Sequence, residues 1–271
     1  MIPFVSNYTA DDVDAAVPEE KHVFRGVEFK CKREEEGPDA TPQSPPLIID
    51  DPGTPGCNRF EINVTFDGDY TKGEKHFEAP LLDLNYGIGD NVQLKFEVPE
   101  LLDKAETAHS LVGDPKLGIK YMFFQDESRE MQAAFYPQIE TRTVKSERGS
   151  EITLPILFTE EIGKVERGPV VFNINIGYKF GNHRVERDRV AFATAVGVPL
   201  THSIASMTEI VINDALNQFQ DERREETIIV NTGLRLDLSS LFALYGSVGA
   251  SLLTSDKKQH QYALAGIQIK P

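Results

Sequence analysis

The residues able to do chemistry in this sequence are carboxylates, amines and amides set two apart along short segments. They are Glu61 and Asn63; Asp83 and Asn85; Gln93, Lys95 and Glu97; Lys120; Gln138 and Glu140; Asn173, Asn175 and Lys179; Arg189; Glu209; and Asn231, Arg235 and Asp237. Asp67 and Lys270 extend the series. A spacing of two places such groups on one face of an extended strand. Both signs are present in near balance, so the groups can pair with one another, which is the chemistry of a polar lining more than of turnover.

Reaction centres are not legible. There is no GxSxG, HExxH, Walker A or GxGxxG, and Gly87-Ile88-Gly89 lacks the third glycine and falls in a hairpin. His22, His76, His109, His183, His202 and His260 are scattered and read as surface residues. Asp67, Asp69, Thr71 and Glu78 fit positions 1, 3, 5 and 12 of a calcium loop, but Lys72 stands where that loop needs glycine, so a polar hairpin loop is the better reading. The sequons at Asn7 and Asn63 are weak, the second lying within a strand. No catalytic, cofactor or metal site is assigned, and no cofactor is expected.

The two cysteines, Cys31 and Cys57, are too few for a metal cluster or a CxxC redox site. In an oxidising compartment they could pair, which would contribute roughly 3 kcal/mol in the chain-entropy account. The alternative, two unpaired thiols in a loose segment, stays open.

The elements that position the polar groups are strands. Twelve alternating segments follow Arg59: 59–66, 76–86, 91–98, 117–124, 131–141, 151–159, 170–180, 188–198, 204–213, 227–238, 241–253 and 261–269. In 227–238, Ile228, Val230, Leu234, Leu236 and Leu238 share one face, and Asn231, Gly233, Arg235 and Asp237 the other. Most segments reach the roughly 9 to 11 residues a tilted strand needs to cross a bilayer. Connections alternate between longer polar loops and short turns, as in membrane barrels, except that the sixth, 160–169, should be short and reads as long. Pro80, Pro137 and Pro155 sit inside these segments and mark bulges or strand ends.

The expected fold is all-β: an antiparallel up-and-down transmembrane β-barrel of about twelve strands. It occupies 59–271, behind a Pro-rich acidic extension, 1–58. That extension holds eight of the sixteen prolines and 12 acidic against five basic residues. Thr9 and Asp12 could cap a short helix, 23–31 could form one strand, 34–51 reads as extended or disordered, and Asp51-Pro52-Gly53 could turn. Three roles for the extension stay open: plugging a lumen, tethering elsewhere, or remaining unordered.

Composition agrees. Sixteen Phe and eight Tyr with four Met and no Trp favour strands over helices. The formal charge of −15, with 28 Lys+Arg against 43 Asp+Glu, and the lack of a basic stripe exclude a nucleic-acid partner. The start, MIPFVSNYTADDVD, shows no secretory leader, which leaves a cytoplasmic protein or a mature or truncated form. Alternation alone does not say which face is inside, so a soluble β-sandwich or barrel acting as a binding or structural module is the alternative.

Two stretches carry a family likeness: Pro46-Leu47-Ile48-Ile49-Asp50-Asp51-Pro52-Gly53-Thr54-Pro55-Gly56 leading into Phe60-Glu61-Ile62-Asn63, and 80–99, beginning Pro80-Leu81-Leu82-Asp83-Leu84-Asn85-Tyr86. With Gly113-Asp114-Pro115-Lys116-Leu117-Gly118-Ile119-Lys120-Tyr121 and Tyr136-Pro137-Gln138, they resemble the bacterial outer-membrane β-barrel family labelled "putative MetA-pathway of phenol degradation". The resemblance spans 46–271 and is strongest before residue 140. It implies an outer-membrane barrel with the lipid bilayer as partner, passive transport or binding of small apolar or aromatic molecules, and no catalysis. The polar residues above would then line the lumen, their ion pairs narrowing it without strong charge selectivity. The chain departs from such barrels in ending Ile269-Lys270-Pro271 instead of in an aromatic residue, and in leaving its girdles to Tyr and Phe.

Overall fold

The computed structural model of the chain describes residues 20–24, 26–31, 42, 45–71, 74–101, 111–141, 150–181, 188–215, 226–254 and 258–271. Among these there is no helix. The first two strands, β1 (Glu20–Phe24) and β2 (Val27–Cys31), form a separate hairpin. One strand over 23–31 is thus corrected to two: Gly26, at φ 84°, supplies a left-handed turn that a side chain would resist.

The remaining strands build one closed sheet. They are β3 (Phe60–Thr71), β4 (Glu74–Gly89), β5 (Val92–Leu101), β6 (Leu111–Val112), β7 (Lys116–Asp126), β8 (Met131–Phe135), β9 (Gln138–Thr141), β10 (Ser150–Val165), β11 (Gly168–Gly181), β12 (Arg189–Pro199), β13 (Ile204–Ala215), β14 (Glu226–Asp237), β15 (Phe242–Leu253) and β16 (Gln261–Ile269). Every pairing is antiparallel, and β16 pairs with β3 from Gln261↔Tyr70 to Ile269↔Ile62 to close the ring. With β8 and β9 as two halves of one stave, and β6 a short appendage on β5, the barrel has twelve staves.

All twelve sequence segments correspond to staves; 131–141 matches the outer ends of the β8–β9 stave, 261–269 coincides with β16, and the others differ at one end or both. The sixth connection shrinks to Glu166-Arg167, because β10 continues through Val165 and pairs with β11 down to Val165↔Gly168. The charged, glycine-containing run 160–165 resembles a loop in composition. In the fold a bulge between Glu161 and Gly163 keeps its backbone bonded. The first connection is likewise tight, since Asp67–Thr71 pair with Glu74–Glu78. Pro155, expected to mark a bulge or strand end, lies inside β10 opposite Gly177 in unbroken register with β11, whereas Pro80 and Pro137 sit where ladders falter, Pro80 at the register shift between Glu78 and Leu81 and Pro137 between β8 and β9. At that break, Tyr136 N–H donates to the Pro155 carbonyl at 3.0 Å and Ile119 N–H to the Pro137 carbonyl at 3.0 Å.

Burial is inverted relative to a water-soluble fold. Along β7, Leu117, Ile119, Tyr121 and Phe123 are exposed, whereas Gly118, Lys120 and Met122 are buried. On β14, Leu234 is 53% exposed and its neighbour Arg235 only 1%. Phe66, Ile176, Val248 and Ile267 continue the exposed apolar face. A soluble module would bury that face, so the soluble alternative does not hold. The expectations placed on Thr9, Asp12, 34–41, Asn7, His109 and His183 fall outside the described residues.

Candidate functional site

Cross-strand register assembles the polar residues. Glu61 lies opposite Asn85 and Asn63 opposite Asp83; Asp83 in turn faces Glu97, and Asn85 faces Lys95. Gln93 faces Lys120, and Glu97 faces Lys116. Because these positions share inward parity, their side chains form a belt across β3, β4, β5 and β7.

Lys95 Nζ lies 2.8 Å from Glu97 Oε2 and 3.5 Å from Asp83 Oδ1. Lys116 Nζ lies 2.7 Å from Glu97 Oε1 and 4.0 Å from Glu140 Oε2. Amides fill the gaps: Asn63 Nδ2 donates to Glu61 and to Asp83, Asn85 Nδ2 to Asp83, and Gln93 Nε2 to Asn85. Across the β3–β16 seam, Gln268 Nε2 donates to Asn63 Oδ1 at 3.1 Å, and Gln268 Oε1 accepts from Arg235 Nη2. Arg235 also holds Asp237, with Nη2 2.9 Å from Oδ1. The network pairs charges that would be costly to bury singly.

Beside the belt lies a cavity of about 1070 Å³. Of the sequence candidates, Glu61, Asn63, Asp83, Asn85, Gln93, Lys95, Glu97, Lys120, Gln138, Arg235 and Asp237 border it. The others stand apart. Asn173 is buried and accepts from Thr159, Asn175 is half-buried, Lys179 pairs with Glu151, and Arg189 is exposed at the start of β12. Glu140 meets the belt only through Lys116. Glu209 and Asn231 are buried against each other, Asn231 Nδ2 donating to Glu209 Oε1 at 2.7 Å.

Glu209 holds backbone. Its Oε1 accepts from Ile48 N–H at 2.9 Å and its Oε2 from Ile49 N–H at 2.8 Å. These residues belong to a segment, 45–57, that runs across the barrel interior. Leu47 and Ile49 pack on an apolar stretch of inner wall: Ala193, Ala195, Met207, Val211 and Ile229. Pro42 and Pro46 rest against Gly197 and Gly233, where a Cβ would meet them at 2.3 and 2.6 Å. The chain then turns at Asp51, whose Oδ1 accepts from Gly53 N–H, and Lys120 Nζ donates to the carbonyls of Asp51 at 2.7 Å and Gly53 at 3.0 Å. It ends at the β4–β5 turn, where Thr54 Oγ1 donates to Asp90 O, Asn58 N–H to Gly87 O, and Cys57 is bonded to Cys31.

Reading residues alone missed Lys116, Tyr136, Tyr245 and Gln268 as cavity or network members. It also missed the docking of Leu47 and Ile49. The available signal was the apolar run Leu47-Ile48-Ile49 between prolines, which is out of place in a solvated extension.

No family model and no curated protein matches the sequence. Solved structures do. The chain is similar to the COG4313 outer membrane channel from Pseudomonas putida F1, with a TM-score of 0.65 at 11% identity, covering 83% of this chain and 100% of that one. It is similar to the NanC porin, with a TM-score of 0.58 at 10% identity over 77% and 100% of the two chains. A KdgM porin solved with disordered oligogalacturonate matches at a TM-score of 0.55 and 9% identity, over 76% and 98%. The polar interior, the apolar exterior and these likenesses converge on one architecture, the closed antiparallel barrel of outer-membrane porins and channels.

Proposed function

We propose that the protein is a passive outer-membrane channel for small molecules, without catalysis, with 59–271 as the barrel and 1–58 contributing its interior strap. The observation that carries this reading is the inversion of burial. A sheet that exposes Phe66, Ile176 and Val248 while enclosing Lys95, Glu97 and Arg235 is stable with lipid outside and a polar path inside.

Solutes would pass beside the belt, in contact with Glu61, Asp83, Lys95, Glu97, Lys120, Arg235 and Asp237. The mixed lining, with Tyr136, Tyr245, Leu81 and Leu264 next to those charges, suits small apolar or aromatic molecules that carry polar groups. The resemblance to the phenol-degradation barrel family supports the same solute class. The purified protein, reconstituted in liposomes, should admit small aromatic acids or sugars faster than protein-free vesicles in a swelling assay. Equal rates with inserted protein would remove the channel reading.

A further inference from the structure

The longer connections of the barrel gather at one rim, which in a porin-like barrel is the extracellular one. The closing seam ends there, at Gln261↔Tyr70, beside a group of side chains outside the belt. Asp67 borders the cavity, and Asp69 and Thr71, at spacings of two along β3, continue its inner face. His260, the residue before β16, meets them across the seam: its Nδ1 lies 3.1 Å from each Asp69 carboxylate oxygen and 3.0 Å from Thr71 Oγ1. On the other flank of β3 the register sets His76 of β4 directly across from Asp69. Residues paired in this way share a face, with Cβ atoms about 5 Å apart. The residues spaced like a calcium loop therefore form a ladder instead, with Asp67 opposite Glu78 and Asp69 opposite His76.

One hydrogen bond does not explain three oxygens around Nδ1. A ring nitrogen carries either a proton or a lone pair. With the proton, a single N–H is shared among three acceptors; with the lone pair, the nitrogen faces a carboxylate that has no proton to give. A divalent ion removes the conflict, since the lone pair and the carboxylate oxygens all become its ligands. Ligands held at about 2.1 Å stand about 3.0 Å apart around an octahedral ion and about 3.4 Å apart around a tetrahedral one. The separations at His260 fall at the near end of that span. The ring is already set in place. His260 N–H donates to Oγ of the buried Ser251 at 2.8 Å, its carbonyl accepts from Ser251 N–H at 2.9 Å, and the imidazole stacks on Tyr262. The His260 and Asp69 side chains are 24% and 34% exposed, so an ion reaches them from water without displacing the wall.

We propose that Asp69, His260 and His76 hold a divalent transition ion of the zinc class at the extracellular end of the β3–β16 seam. Two of these ligands already meet, and the third is supplied by the β3–β4 register. Imidazole nitrogen with carboxylate oxygen is a donor set for such ions, whereas calcium and magnesium take oxygen alone. Water completes the shell. The site does not depend on the channel reading, since it needs only the closed ring. Its donors come from the start of β16, from β3 and from β4, so the ion binds where the seam is shut and stabilises the ring by mass action.

The test is calorimetric titration of the untagged full-length protein with zinc chloride near neutral pH, after folding in detergent micelles and stripping with chelator. The parent should bind one zinc ion per chain, and calcium about a hundredfold more weakly or not at all. His260→Ala, Asp69→Asn and His76→Ala, each shown to be folded by heat-dependent gel mobility, should each weaken zinc binding about tenfold or more. His202 is exposed at the opposite rim, in the turn between β12 and β13, and His202→Ala should bind like the parent. A second measurement needs no variant. In proton NMR of the parent, zinc should shift the ring resonances of His260 and His76 and leave those of His202 in place. The site is overturned if the parent takes up no zinc, if calcium binds as tightly, if any of the three ligand variants binds like the parent, or if the His260 ring signals do not move.

Discussion

A single charge placed on the outer face distinguishes lipid from water around this barrel. Val248 is the chosen site: it points outward, is 62% exposed, and lies opposite Thr232 and Ala263. It stands six residues above Phe242, the first residue of β15. At about 3.4 Å per residue and a strand tilt of about 40°, that is about 15 Å up the barrel axis, within a few ångströms of the middle of an apolar band about 25 Å tall.

In water an exposed Val248→Arg change should move stability by no more than about 0.5 kcal/mol. At a bilayer midplane the same arginine costs about 2 to 4 kcal/mol, a factor of roughly 30 to 900 in the folding equilibrium. The assay is reversible guanidinium titration in phospholipid vesicles, followed by tyrosine fluorescence and gel mobility, with the parent and Val248→Arg at equal slope. A difference inside about 0.5 kcal/mol would refute the assignment of the apolar face to lipid.

Three other outcomes follow. Unheated samples in SDS should run as a compact band that shifts on boiling, because a ring closed by β16 on β3 has no free edge from which to unzip. Cation-to-anion permeability should stay near unity in a salt gradient, since the cavity is bordered by seven carboxylates (Asp50, Asp51, Glu61, Asp67, Asp83, Glu97, Asp237) and six cations (Arg59, Lys95, Lys116, Lys120, Arg235, Lys270); a reversal potential of strong selectivity would contradict the paired belt. Gly87→Ala should displace Gly56 and cost about 1 to 3 kcal/mol as an overpacked site, with hydrogen exchange at the Asn58 amide, bonded to Gly87 O at 2.8 Å, accelerating accordingly.

The staves were legible because a period of two is a local property: Ile228 to Leu238 shows both faces with no knowledge of partners. Their ends were not. The run Glu160-Glu161-Ile162-Gly163-Lys164-Val165 has loop composition, and only its bonding to β11 makes it strand. Which face looks outward was likewise undecided by alternation, since both environments reward it. The candidate site was half legible. Parity put Glu61, Asp83, Lys95 and Arg235 together, but the same parity also put Glu209 with them, and nothing local says that its carboxylate serves a backbone 160 residues earlier. The strap escaped for the same reason: prolines and acids mark an extension, and its docking depends on Ala193, Ala195 and Met207 being small or pliant on a distant wall.

The seam between β3 and β16 sets an order of assembly. All eleven other joints connect staves consecutive along the chain and can zip as each stave arrives, whereas Gln268 meets Asn63 across 205 residues. Loop-closure entropy grows with that distance, so the seam is the contact for which the chain waits longest. Until the nine residues of β16 are in place the sheet is an open, curling ribbon with two raw edges. An enclosed space for the strap exists only after the last stave docks. A chain cut short before Gln261 would therefore lose more than one-twelfth of the barrel: it would lose the interior itself, and with it the site that Glu209 and Lys120 were placed to hold.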